Sequence, residues 1–208
     1  VVFCQGCPWR CRYCHNGPLL SASRRPAIPW REVTTLLARR RGLLDAVVFS
    51  GGEPTLQGSL AAAMGQIRAM GFRVGLHTAG CYPERLRRVV PFLDWVGLDI
   101  KALPQRYPEV TGAPESGDRA WKSLQLLLES GTDLEVRTTL LPYWRLAEDI
   151  EPLARRIAQA GVTNYVIQTC RTAMALDPDL LSSAADGQPP PEALLTLGNG
   201  LFRHFSVR

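Results

Sequence analysis

Lysine is nearly absent: of 24 basic residues only Lys101 and Lys122 are lysine, and the rest are arginine. The net charge of +5 is scattered through helical segments, and no run of base-stacking aromatics accompanies it, which argues against a nucleic-acid surface. Arg39-Arg40-Arg41 closes a helical pattern, where positive charge complements the helix dipole. Long apolar runs are lacking too, so no segment reads as a membrane span. The first residues carry no basic-then-apolar export signal, which gives a cytoplasmic expectation; because the chain opens at Val1, a missing N-terminal segment is also expected. A second cysteine pair set off by a longer gap, as in structural zinc sites, is missing, and six cysteines in 208 residues fit metal-bound thiols in a reducing compartment better than a disulfide framework.

What is present is a cluster. Cys7, Cys11 and Cys14 fall within the eight residues Cys7-Pro8-Trp9-Arg10-Cys11-Arg12-Tyr13-Cys14, so three thiols share one loop. Thiolates at this density suit iron–sulfur chemistry or zinc. A cubane cluster has four irons, so three cysteines leave one iron open. Other readings use the same letters. Cys11-x-x-Cys14-His15 matches the haem-attachment pattern, but leaves Cys7 without a role. Cys4 adds a fourth thiol and with it the option of a closed electron-transfer cluster, although such carriers are short and cysteine-dense. A thioredoxin-like Cys11–Cys14 pair is weakened by the third thiol beside it. Cys4, Cys81 and Cys170 read as small buried residues.

The rest of the chain alternates. Strand patterns at 1–3, 45–49, 72–78, 95–101, 133–140 and 164–169 are each followed by a helical pattern, at 29–41, 54–70, 83–92, 118–130, 147–160 and 191–202. Gly42, Gly71, Gly131 and Gly161 stand between a helix and the next strand. Six β/α units of about 35 residues predict a parallel sheet in one α/β domain spanning 1–208, with 177–190 as a loop and 191–208 as a C-terminal helix and tail. Polar residues gather at strand C-termini: Ser50-Gly51-Gly52-Glu53, His77-Thr78, Asp99, Lys101, Arg137 and Gln168. In parallel β/α folds sites are built at that edge. On the fourth strand Gly97, Asp99 and Lys101 share one face, and on the fifth Glu135, Arg137 and Thr139 do. Asp99 and Lys101 fit an internal ion pair as well as a ligand contact. His77 fits a core imidazole, and His204 a solvated one.

The run from Phe3 through Cys7, Cys11, Cys14, His15 and Asn16 resembles the C-x3-C-x2-C signature of radical S-adenosylmethionine enzymes, and specifically of glycyl-radical-enzyme activases. Ser50-Gly51-Gly52-Glu53-Pro54, Thr78-x-Gly80 and Leu98-Asp99-Ile100-Lys101 are similar to the later motifs of that family, in the same order. The resemblance implies a partial (β/α)6 TIM-like barrel, with Cys7, Cys11 and Cys14 on a [4Fe–4S] cluster. It places Gly51, Gly52 and Glu53 at the methionine amino end of S-adenosylmethionine, Thr78, Asp99 and Lys101 along the cofactor, Tyr13 and Asn16 at its adenosyl part, and Arg137 as a further contact. The activity implied is reductive cleavage of the cofactor to a 5′-deoxyadenosyl radical, which takes hydrogen from a glycine of a large partner enzyme. Anaerobic ribonucleoside-triphosphate reductase is the favoured partner, and a flavodoxin or ferredoxin the electron donor. Alternatives are a small-molecule enzyme resembling the 7-carboxy-7-deazaguanine synthases, or the closed-cluster carrier. Activases commonly show Asp-Thr-Asn-Gly where this chain has His77-Thr78-Ala79-Gly80, so an accessory cation site using that aspartate is not expected.

Overall fold

A computed structural model describes residues 1–22, 28–142, 144, 146–171, 173, 175–181 and 192–208. Seven strands form one sheet in sequence order: β1 Val2–Cys4, β2 Ala46–Gly51, β3 Arg73–Thr78, β4 Trp95–Asp99, β5 Asp133–Leu140, β6 Asn164–Thr169 and β7 His204–Val207. Every neighbouring pair is parallel. A parallel pair needs a crossover, and helices supply it: α1 Trp30–Ala38, α2 Leu60–Ala69, α3 Pro83–Val89, α4 Tyr107–Thr111, α5 Ser116–Ser130, α6 Glu151–Gln159, α7 Pro178–Leu181 and α8 Glu192–Leu201. The result is the expected α/β sheet in partial-barrel order, with β1 and β7 at its edges.

Side chains alternate across each strand, so the sheet has two different faces. The helix-facing side carries Phe49, Leu76, Val96, Leu98, Val136, Tyr165 and Ile167, all at most 2% exposed. Against them pack Met64 and Ile67 of α2, Leu86 of α3, Leu124 and Leu127 of α5, and Leu153 and Ile157 of α6. The opposite face is the polar one anticipated for β4 and β5. It carries His77, Asp99, Glu135 and Arg137, and the strand C-termini open there onto a cavity.

Several sequence expectations need correction. The expected tail contains a seventh strand, so six units become seven strands. Phe205 explains it: its ring meets Tyr165 at 5.9 Å and lies where a side chain at Gly198 of α8 would stand. The helix expected from Pro54 is broken into a 3-10 turn at Pro54–Leu56 and then α2, and Leu36 of the α1 stripe is 55% exposed. α4 and α7 were not foreseen. Most of the loop expected at 177–190, with Asp186-Gly187-Gln188, lies outside the described residues.

Candidate functional site

The cysteine loop has no regular structure between β1 and Gly17, so neighbours must supply its hydrogen bonds. Gly6 and Cys7 donate to Leu19 O and Leu20 O at 2.7 and 3.1 Å. Arg10 and Arg12 donate to Thr111 O and Val110 O of α4 at 2.9 and 3.0 Å. From the far end of the chain, Asp177 N donates to Arg12 O, and the Asp177 carboxylate pairs with the Arg12 guanidinium. Tyr107 of α4 completes the clamp: its ring meets Trp9 edge-on at 5.9 Å, and its hydroxyl accepts from Lys101 N at 2.9 Å.

Around this loop lies a cavity of about 480 Å³. Cys7, Cys11 and Cys14 line it, and so do Tyr13, Asn16, Gly51, Gly52, Thr78, Asp99, Lys101 and Arg137. Cys4, Cys81 and Cys170 do not. Among the described residues no three His, Cys, Asp or Glu side chains converge closely enough to hold one metal ion. A cubane differs from a single ion in that it bonds each thiolate to a different iron, so its ligands stand apart.

One sequence-assigned residue is placed elsewhere. Glu53 is fully buried and does not line the cavity. Its Oε1 accepts from Thr55 N, Thr55 Oγ1 and Thr78 Oγ1 at 3.0, 2.6 and 2.8 Å, and its Oε2 accepts from Ala79 N at 2.9 Å. With four donors already on it, Glu53 braces the β3 terminus from behind. Gly51 and Gly52 reach the cavity, but their missing side chains are required by backbone: a Cβ would stand 2.3 Å from Cys4 O and 2.4 Å from Gly6 O. Asn16 Nδ2 donates to Gly51 O at 3.0 Å and ties the loop to β2.

Electrostatics differ among the thiols. A hydrogen bond from Cys81 is the largest influence on Cys7, and it lowers that thiol to about 7 against the opposing effect of burial. Burial raises Cys11 to about 11 and also raises Cys14. Cys4 is pushed up to about 11 by burial and by Glu53. Burial opposes the charge of Lys101, but Asp99, with Oδ2 3.0 Å from Nζ, and the adjoining Tyr13 and Cys11 hold the ammonium firmly protonated. The Lys101 Nζ lies 5.3 Å from the Tyr13 ring centroid.

Two buried polar atoms in the cavity wall have no hydrogen-bond partner within reach among the described residues: Tyr13 Oη, on a residue 7% exposed, and His15 Nε2. Unpaired buried groups cost free energy, so they suit a wall that receives a polar ligand. Soft cysteine sulfurs, an ammonium–carboxylate pair and polar atoms without partners in one cavity fit an iron–sulfur cluster with a zwitterionic cofactor. Sequence reasoning missed His15, Trp9 and three groups at the β6 and β7 termini: Thr169, Arg171 and Arg208. No local pattern marks these last three. Only the late strand pairing brings them in.

A parallel β/α sheet opening onto a three-cysteine pocket defines a redox-capable α/β enzyme scaffold. The Radical SAM superfamily profile matches residues 1–157, and the chain belongs to that superfamily. Its members use a [4Fe–4S] cluster and S-adenosylmethionine. A Methanocaldococcus jannaschii protein provisionally named as a glycyl-radical enzyme activating enzyme is 30% identical over 178 residues, 81% of this chain and 71% of that one. The pyruvate formate-lyase-activating enzyme of Clostridium pasteurianum is 30% identical over 149 residues, 68% of this chain and 61% of the relative. The 7-carboxy-7-deazaguanine synthase of Thermococcus kodakarensis is 31% identical over 116 residues, 46% of each chain. In fold, Streptococcus suis SuiB bound to S-adenosylmethionine superposes on the whole of this chain with a TM-score of 0.70 at 14% identity. This chain spans 49% of SuiB, and between about half and 71% of these relatives.

Proposed function

We propose that residues 1–208 act as one radical S-adenosylmethionine domain, an activating enzyme that installs a glycyl radical on a partner protein, with anaerobic ribonucleoside-triphosphate reductase as the partner. The observation that carries this reading is the meeting of Cys7, Cys11 and Cys14 with Asp99 and Lys101 in one cavity. It is supported by the likeness to two activating enzymes. In this reading Cys7, Cys11 and Cys14 would hold the cluster, with S-adenosylmethionine bound in the same cavity.

When bound, that pair supplies one-electron cleavage of a carbon–sulfur bond, and with it hydrogen-atom abstraction. The chain's own residues bind, orient and shield. Lys101, held charged by Asp99, offers a buried cation to the cofactor carboxylate. Asp99, whose side chain is 39% exposed, keeps acceptor capacity towards the cavity. Tyr13 and Asn16 meet the adenosyl part, and Gly51, Gly52 and Thr78 form the wall near the methionine end. Trp9, Tyr13 and Leu20, all buried, exclude water from the thiol side. Glu53, in place of direct contact, holds the Thr78 hydroxyl in position. A flavodoxin or ferredoxin supplies the electron. The activity belongs to the cytoplasm and uses no nucleic acid or membrane; no helix among the described residues is long and apolar enough to cross one.

The deciding experiment mixes the anaerobically reconstituted chain, S-adenosylmethionine and reductant with candidate partners, and looks for a glycyl-radical signal at low temperature. A signal with the reductase is expected. Silence with every partner, together with turnover of a small molecule, overturns the reading in favour of the second one, which the likeness to a 7-carboxy-7-deazaguanine synthase favours. The closed-cluster carrier loses support because Cys4 stays off the cavity wall. Cys4→Ala tests it directly: cluster retention is expected, and cluster loss would restore the carrier.

A further inference from the structure

His77, at the end of β3, stands in an array that the proposed function leaves unused. Ser50 Oγ lies 3.3 Å from its Nδ1, and Arg137 Nη1 lies 3.3 Å from its Nε2. The imidazole also meets Trp95 edge-on at 5.4 Å. Arg137 is fixed on its other sides. Its Nε donates to Glu135 Oε1 at 2.6 Å, and its Cζ lies 5.1 Å from the Trp95 ring centroid. It occupies the room above Gly97, where a Cβ would come within 2.9 Å of Cζ. Arg208 Nη2 donates to the second oxygen of Glu135 at 3.3 Å. Ser50, His77, Arg137 and Arg208 all line the cavity.

We infer that His77 is a positioning residue: as a neutral imidazole between Ser50 and Arg137, it aims the Ser50 hydroxyl proton into the cavity and fixes the Arg137 guanidinium on the cavity wall. The chemistry of the donors dictates this. A guanidinium only donates, so Nε2 must accept. A neutral ring accepting at Nε2 carries its proton on Nδ1 and donates it to Ser50 Oγ. The Ser50 proton is then free for a ligand oxygen. Protonating His77 turns both ring nitrogens into donors, sets Nε2–H against the guanidinium and puts two cations in contact.

The groups facing His77 pull in both directions. Burial comes first, and then the Arg137 charge; together they lower the imidazole below its ordinary value, against Asp99 of β4 and Glu135 of β5, which favour the charged ring. Ser50 of β2 and Trp95 of β4 are uncharged, and Arg208 beyond β7 acts through Glu135. The array therefore holds at neutral pH and breaks as pH falls through the lowered His77 midpoint.

The role in ligand binding rests on the proposed cofactor site, whereas the array itself does not, and the test separates them. The chain has three histidines, His15, His77 and His204, and the last is exposed. Nitrogen-15 NMR of the cluster-free chain is expected to show His77 as the Nδ1–H tautomer, titrating below the ordinary histidine value, with Arg137→Gln moving it up towards that value. An Nε2–H tautomer, or a wild-type midpoint at the ordinary histidine value, overturns the inference, and neither result depends on the variant folding. In the second measurement, S-adenosylmethionine affinity of the cluster-loaded chain is followed down to that midpoint. A fall of about tenfold is expected, the order of an ordinary coupling between two sites. His77→Gln, whose amide keeps one acceptor and one donor, is expected to bind comparably at pH 8 without that fall. A flat wild-type profile overturns the role. If the loaded chain binds no S-adenosylmethionine at any pH, the cofactor reading fails, and the NMR result still decides the array.

Discussion

Glu53 accepts the Thr78 hydroxyl at 2.8 Å from a position with no solvent exposure, joining the turn after β2 to the end of β3. Glu53→Gln places an amide nitrogen against a donor, either Ala79 N or the Thr55 and Thr78 hydroxyls. We expect a loss of about 2–3 kcal/mol in urea unfolding, the cost of leaving buried donors without an acceptor. An unchanged midpoint would show that the carboxylate braces nothing.

Gly51 adopts φ +115° with Cys4 O where its Cβ would be. Gly51→Ala is expected to destabilise the chain by more than about 1 kcal/mol and to reduce iron loading, because the β1–β2 register and the cysteine loop shift together. Gly58→Ala is the control, since nothing lies within 4 Å of that position. Equal behaviour of the two variants in thermal unfolding would refute the argument.

Tyr107→Phe removes only an oxygen, yet that oxygen accepts the buried Lys101 N–H. The expected cost is about 1–3 kcal/mol. A milder effect in equilibrium unfolding would mean that Lys101 N finds another acceptor.

Asp94 accepts from Val74 N at 2.7 Å and from Arg68 Nη1 at 2.8 Å. Burial raises its carboxyl, but these two donors and the nearby arginines outweigh it, and the net direction is down. A depressed carboxyl contributes stability that is complete above the unfolded value and is lost as pH falls through the folded one. With a side chain 34% exposed, we expect Asp94→Asn to cost about 1 kcal/mol at pH 7 after solvent screening. The difference should shrink as pH falls from the usual aspartate value through the lower folded one. A gap that persists in acid would point to packing, not charge.

Much of this was legible beforehand because parallel β/α folds write their pattern locally. Val47, Phe49, Leu76, Val96 and Leu98 announce buried strands, and Gly42, Gly71, Gly131 and Gly161 all take positive φ between a helix and the next strand. Cys7, Cys11 and Cys14 fall on one loop by spacing alone, and the period of two assigned Asp99 and Arg137 to the open face. What stayed hidden depends on distant partners. β7 spans four residues, and its alternation of Phe205 and Val207 with polar residues is too short to stand out until Tyr165 and Gly198 are beside it. Glu53 reads as a ligand in sequence because a motif does not show which way a carboxylate turns. Likewise Cys81 reads as filler, although it lies against Cys7.

The clamp on the cysteine loop spans the chain, for Arg12 meets Asp177 across a separation of 165 residues and α4 lies between them. The cysteine loop is therefore held from both sides only in the folded chain, so its bracing belongs to the tertiary structure and not to the loop's own residues.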